Sequence, residues 1–135
     1  MKLQIVALAA LALAGCSKAP EQSNTTAPAG QIETAAVSGA PSSFGQCAIC
    51  HQVKPGVNGL GPSLHGVVGR KAGTVAGFAY SPAMKNSAVT WDEASIDAFI
   101  EAPQKFLPGT RMAFAGVKDK AKRDEIIAWL KTNSQ

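Results

Sequence analysis

Cys47-Ala48-Ile49-Cys50-His51 sets two thiols three positions apart with a histidine directly after the second. At this spacing the two sulfurs meet the two vinyl groups of one porphyrin, and the adjacent imidazole reaches the iron from one face. Random placement of residues with this composition supplies such a pattern in about one chain per thousand. Two other chemistries use the same residue types. A thioredoxin-like redox pair follows a strand and opens a helix in a βαβ unit, and no β-branched strand precedes Cys47. A two-Cys two-His zinc finger has its first histidine about a dozen residues beyond the second cysteine, not beside it. The motif therefore implies one covalently held haem.

Such an iron asks for a sixth ligand, and the candidates are His65, Met84 and Met112. Their surroundings differ. Met112 follows Pro103, Pro108 and Gly109, which break helices and favour a stiff, extended loop able to hold a soft thioether against a metal. Met84 lies in Ser81-Pro82-Ala83-Met84-Lys85-Asn86, a short helical turn where methionine is more often a core filler. His65 sits in the Gly-rich Leu64-His65-Gly66 only fourteen residues after His51, where a surface or backbone-bonded ring is the ordinary outcome. Met112 is favoured.

Around this centre the chain is modest. Its 135 residues are 46% apolar and 16% charged, which suits one small folded domain. Eight aromatic residues make a thin core at this size, so a prosthetic group has room to complete it. The formal charge of +4 is too mild to imply nucleic acid, and neither end carries a charged tail. Three cysteines exclude a simple disulfide framework and leave Cys16 to be explained.

The explanation lies at the N-terminus. Met1-Lys2 is followed by a Leu/Ala/Val/Ile run ending in Leu13-Ala14-Gly15-Cys16. That run is shorter than the about 20 apolar residues a membrane span needs and reads as a signal peptide over 1–15. The tetrapeptide resembles the bacterial lipobox, which implies lipidation of Cys16. Two or more acyl chains anchor stably where one does not. Residues 16–40 are rich in Ala, Ser, Thr, Pro, Gln and Gly and read as a flexible linker with a reach of roughly 25–30 Å. The folded domain is expected over 41–135.

Within it, Thr90-Trp91-Asp92-Glu93 reads as a capping box ahead of a helix with Ile96, Phe99 and Ile100 on one face, ending before Pro103. A last helix is expected from near Asp119, with Ile126, Trp129 and Leu130 along one side. Pro41 stands six residues before Cys47, so the first helix should be short.

Phe44 to Leu130 resembles a class I c-type cytochrome of the mitochondrial-like, small bacterial kind. The resemblance rests on ordered motifs: Phe44 before Cys47-x-x-Cys50-His51, Gly61-Pro62-Ser63-Leu64-His65-Gly66, Gly77-Phe78-Ala79-Tyr80, Val89-Thr90-Trp91, Pro108-Gly109-Thr110-Arg111-Met112 and Phe114-Ala115-Gly116. It implies an all-α fold wrapped around one covalent haem c. It also implies His51 and Met112 as axial ligands and a Pro62 carbonyl that accepts from the His51 ring and so fixes its tautomer. Arg70, Tyr80 and Trp91 would satisfy the buried propionates, and Phe99, Thr110 and Phe114 would complete the pocket. Phe99 and Met84 stand where many relatives have a tyrosine and an asparagine, implying a drier methionine side with Thr110 as its main polar group.

A six-coordinate iron has no open position, so the expected activity is one-electron transfer rather than catalysis. Donors would be quinol-oxidising complexes, and acceptors periplasmic-facing oxidases, peroxidases or reductases, met by a monomer. Lys54, Lys85, Lys105 and Arg111 would form a basic rim that steers acidic partners. Lys118, Lys120, Lys122 and Arg123 read instead as a solvated charge run. The alternatives are a small-ligand sensor or peroxidase-like enzyme with a labile methionine bond, and a haem-free structural lipoprotein. Which membrane would hold the lipid is left open by Ser17, which resembles an outer-membrane sorting signal.

Overall fold

The chain stays extended through Thr90 and Trp91 because their backbones are already engaged across a short antiparallel bridge. Thr90 pairs with Lys71, Trp91 N donates to Arg70 O at 2.9 Å, and Ala72 N donates to Val89 O at 2.9 Å. The computed structural model describes residues 37–133, all within one compact unit. The expected signal segment, the lipid site at Cys16 and the linker as far as residue 36 lie outside the described residues.

The described elements are a 3₁₀ turn (Ser42–Phe44) running into α1 (Gly45–Ala48), then α2 (Pro82–Lys85), α3 (Glu93–Glu101), α4 (Pro103–Phe106) and α5 (Lys120–Asn133). The fold is all-α, with long loops carrying the chain between α1 and α2 and between α4 and α5.

Asp92, not Thr90, caps α3. Its carboxylate accepts from Ser95 N at 2.7 Å, while Asp92 N donates to Ser95 Oγ at 2.8 Å, a capping box with serine in the third position. The expected cap at Thr90 fails because the bridge to Lys71 holds that residue in the extended chain. The Ser95 hydroxyl also donates to the Asp92 carboxylate, at 2.6 Å, and this bond with that from Ser95 N keeps the Asp92 carboxyl below the usual carboxylate range. The cap's contribution is therefore complete above about pH 4 and is lost as pH falls through the lowered folded-state value. Asp92→Ala should lower the melting temperature by about 4–8 °C at neutral pH, with the gap from the parent protein closing in acid. Thermal melts across the pH range check this.

Pro103 ends α3 as expected but does not leave an extended loop behind it. It occupies the first position of α4, where a missing N–H costs nothing, and the loop starts only at Leu107. Asp119 caps α5, its Oδ1 accepting from Ala121 N at 2.9 Å.

The core lies where α5 crosses the N-terminal turn and α3. Phe44, 1% exposed, packs its ring 4.5 Å from that of Trp129, and Ser43 Oγ donates to Glu125 at 3.0 Å. An aromatic pair thus occupies this crossing. Val37 and Ala40 pack against the same cluster, so ordered chain begins upstream of Pro41.

Arg123 corrects the solvated charge run. It is 5% exposed, donates to Asp97 at 2.8 Å, and gives further bonds to Val117 O and Lys118 O, each at 3.0 Å. The reason is helical register: Arg123, Ile126, Ile127 and Leu130 share one face of α5. Lys120 fits the surface reading, pairing with Asp124 one turn on.

Candidate functional site

Between α1, the 60–80 loops, α3, the Thr110–Ala113 segment and α5 lies a cavity of about 370 Å³. Cys47, Cys50, His51, Pro62, Arg70, Tyr80, Trp91, Phe99, Thr110 and Met112 all reach its wall. Met84 lines it too, whereas His65 does not. His65 is held elsewhere: its N–H donates to Ser63 Oγ and its carbonyl accepts from Arg70. Phe114, expected in the pocket, does not line it and packs against the hydrophobic cluster instead.

The short α1 puts Cys47, Cys50 and His51 on successive turns, with Cys50 N and His51 N both donating to Cys47 O. His51 Nδ1 then donates to Pro62 O at 2.7 Å. A carbonyl can only accept, so this bond places the ring proton on Nδ1 and leaves the Nε2 lone pair free. Burial lowers the imidazole pKa, with the Pro62 bond opposing, which favours the neutral form that ligates metals. Gly61 makes the close approach possible. A Cβ there would collide with the His51 ring, and Gly61 N donates to Cys50 O at 2.8 Å, tying this loop to the cysteine turn. Burial also pushes the Cys47 thiol up to about 11, opposed by its backbone hydrogen bond and aided by Cys50.

Polar groups gather along one stretch of the wall. Arg70 donates to Ser63 O at 2.9 Å and to His65 O, which holds the guanidinium in place across two carbonyls. Burial raises the Tyr80 pKa, with Val75 and Arg70 opposing. Elsewhere on the wall Trp91 and Phe99 stand together, backed by Phe106 in a ring cluster with centroids 5.0–6.4 Å apart. Ile96, Ile100, Ile126 and Leu130 complete an apolar lining.

The residues fit a porphyrin held through two thiols. Both cysteines and an imidazole with a free Nε2 share one wall, a thioether borders the same space, and an apolar slot meets a few polar groups placed for carboxylates. Helices and loops wrapped around such a slot define the class of c-type haem proteins.

No family model matches the chain. It is 57% identical over 88 residues to cytochrome c2 of Rhodoblastus acidophilus, an overlap covering 64% of this chain and 82% of that protein. It is 48% identical over 93 residues to cytochrome c2 iso-2 of Magnetospirillum fulvum, covering 69% of this chain and 97% of that one. The structure of cytochrome cH from Methylobacterium extorquens superposes with a TM-score of 0.63 at 47% identity, covering 67% of this chain and 91% of that one. The chain belongs to the class I c-type cytochromes, alongside the cytochromes c2. It carries a single covalent haem and is a one-electron carrier, not an enzyme.

Sequence reading missed the apolar wall residue Leu60 and the α4 residue Gln104, whereas helical spacing had already put Ile100 on one face with Ile96 and Phe99. No sequence signal points to Leu60 or Gln104, since both are loop-facing residues defined by what the folded chain brings near them.

Proposed function

We propose that the protein is a lipid-tethered electron shuttle of a bacterial periplasm, with haem bound by Cys47 and Cys50 and its iron held by His51 and Met112. The observation that carries the reading is the one cavity that the two thiols, the Pro62-oriented imidazole and the Met112 thioether all border. The bound haem supplies a one-electron ferric/ferrous couple. The chain's own residues do the rest. His51 keeps its ring proton on Nδ1, donated to Pro62 O, so its other ring nitrogen is left free as a ligand. Arg70, Tyr80 and Trp91 partner the propionates, and the Ile and Phe wall keeps water from the iron, disfavouring the extra charge of the ferric form.

Partner docking draws on charge segregation. From residue 37 to Trp91 there is no carboxylate, and Lys54, Arg70, Lys71 and Lys85 give that half its net positive charge. From Asp92 onward acids and bases balance. The cysteine turn, with exposed Ile49, belongs to the positive half, where exposed Leu60 lines the cavity. Exposed Lys54, Lys85 and Lys105 stand off the wall, and Arg111 lines it while donating to Ala79 O at 3.1 Å. This rim suits acidic redox partners: a quinol-oxidising complex as donor and an oxidase, peroxidase or reductase as acceptor. Reduction by such a complex should slow severalfold as salt rises from about 10 to 200 mM, checked by stopped-flow absorbance. A flat salt profile would remove the steering role.

The tether rests on Leu13-Ala14-Gly15-Cys16. Among the described residues no helix is long and apolar enough to cross a membrane. Cys16→Ser should move the haem protein from the membrane fraction to the soluble fraction of the cell, checked by fractionation and a haem stain. An optical spectrum with a pyridine haemochrome assay tests haem attachment itself.

A further inference from the structure

The segment that carries Met112 lies outside any helix or strand, and its position is set by side chains that reach it from elsewhere. Thr110 Oγ1, buried, accepts from Met112 N at 3.3 Å, and Arg111 is tied to Ala79 O. A third contact crosses from α4. The amide of Gln104 donates to Thr110 O at 3.0 Å and to Met112 O at 3.1 Å, so one side chain bridges the carbonyls on either side of Arg111. The chemistry of this bridge is demanding. Both partners are carbonyls, which only accept, so the bridging group must supply two N–H donors from one atom at the end of a flexible stem. α4 is well placed to present it: Pro103 is buried and fixes the first turn, and Leu107 N donates to Pro103 O at 2.9 Å, leading directly into the loop. Met112 O also accepts from Phe114 N at 3.0 Å, so its two lone pairs are occupied and the peptide unit behind the thioether cannot turn without breaking a bond.

We infer that Gln104 is a positioning residue for the reaction: its amide locks the Thr110–Met112 backbone so that the Met112 thioether stays on the cavity and does not swing out to admit an outside ligand. This rests on the reading of Met112 as the axial ligand. The role of Gln104 is kinetic as much as structural. An electron carrier loses its closed coordination whenever the thioether departs, and a lock on the backbone of that residue lengthens the time between departures.

The test uses the holoprotein and imidazole as the entering ligand, followed by absorbance of the ferric form at neutral pH. Gln104→Glu keeps the shape and removes both donors once ionised, and Gln104→Leu removes them without adding charge. Each should raise the imidazole-binding rate about 3- to 30-fold, the factor set by losing one to two ordinary amide hydrogen bonds. Helical circular dichroism should stay unchanged, and Lys122→Leu, an exposed position on α5 outside the rim, should bind at the parent rate. Parent-rate binding by both Gln104 variants overturns the inference. Met112→Ala separates the two levels. If it removes the sulfur-to-iron charge-transfer band while the Gln104 variants stay at the parent rate, the ligand reading stands and the lock falls. If it leaves the spectrum and the imidazole rate unchanged, the ligand reading falls and the lock with it.

Discussion

The double variant Cys47→Ser, Cys50→Ser should lose its helical circular dichroism together with its haem. The cavity those cysteines border measures about 370 Å³ and is walled by residues from every long element of the fold, including Phe44, Ile96, Phe99, Ile126 and Leu130. Left without its occupant, a cavity of this size deprives its apolar lining of the packing that ties these elements together. Small domains have roughly 5–15 kcal/mol of stability in total, and a chain with eight aromatic residues has little in reserve. The expected result is a chain that is unfolded or molten at room temperature, with weak far-ultraviolet ellipticity and no cooperative melt. A native-like cooperative melt in the haem-free variant would mean that α3 and α5 hold the fold by themselves through Asp97–Arg123 and the Phe44–Trp129 contact. It would also reopen the haem-free structural reading.

The second large effect falls on the thioether. Met112→Ala should abolish the sulfur-to-iron charge-transfer band and let the ferrous protein bind carbon monoxide. It should also lower the reduction potential by on the order of 0.2 V, a fraction of the roughly 0.8 V that axial ligation spans. A soft thioether stabilises ferrous iron, and its removal leaves water or a harder ligand in its place. Met84→Leu is the matched comparison. Met84 lines the same cavity and is buried in the hydrophobic cluster, with its N–H held by Ser81 Oγ at 3.2 Å. Leucine conserves that apolar volume, so the band and the closed coordination should survive with a stability change of less than about 1.5 kcal/mol. The opposite pattern, a band lost in Met84→Leu and kept in Met112→Ala, would exchange the roles of the two methionines.

The electron-transfer assignment and the tether stand on different parts of the chain and fail separately. Haem chemistry depends on residues 47–112 and their shared cavity. The tether depends on Cys16, and its loss in Cys16→Ser should leave the spectrum and potential of the domain unchanged.

How much of this was written in the chain can be seen residue by residue. Cys47, Cys50 and His51 are legible because their chemistry depends on local spacing, which a linear sequence preserves. The same holds for the face of α3 carrying Ile96, Phe99 and Ile100, since helical periodicity is a local property. The cap on α3 was misplaced by two residues because a nonlocal bridge from Lys71 holds Thr90 extended. Arg123 looked like one more surface cation until register on α5 and the carboxylate of Asp97, 26 positions away, gave it a buried partner.

By itself the sequence determined the covalent haem motif, the small all-α domain around it and the short list of ligands. Only the tertiary structure decided that His65 stands off the wall and Met84 on it, while it set the Pro62 carbonyl, already expected, 2.7 Å from His51 Nδ1. It alone brought the Gln104 amide onto the carbonyls flanking Arg111. The physical reason is one of range. Thiol spacing and helical period act over a few residues and can be read along the chain, whereas hydrogen bonds between loops and helices depend on where folding sets remote backbone groups in space.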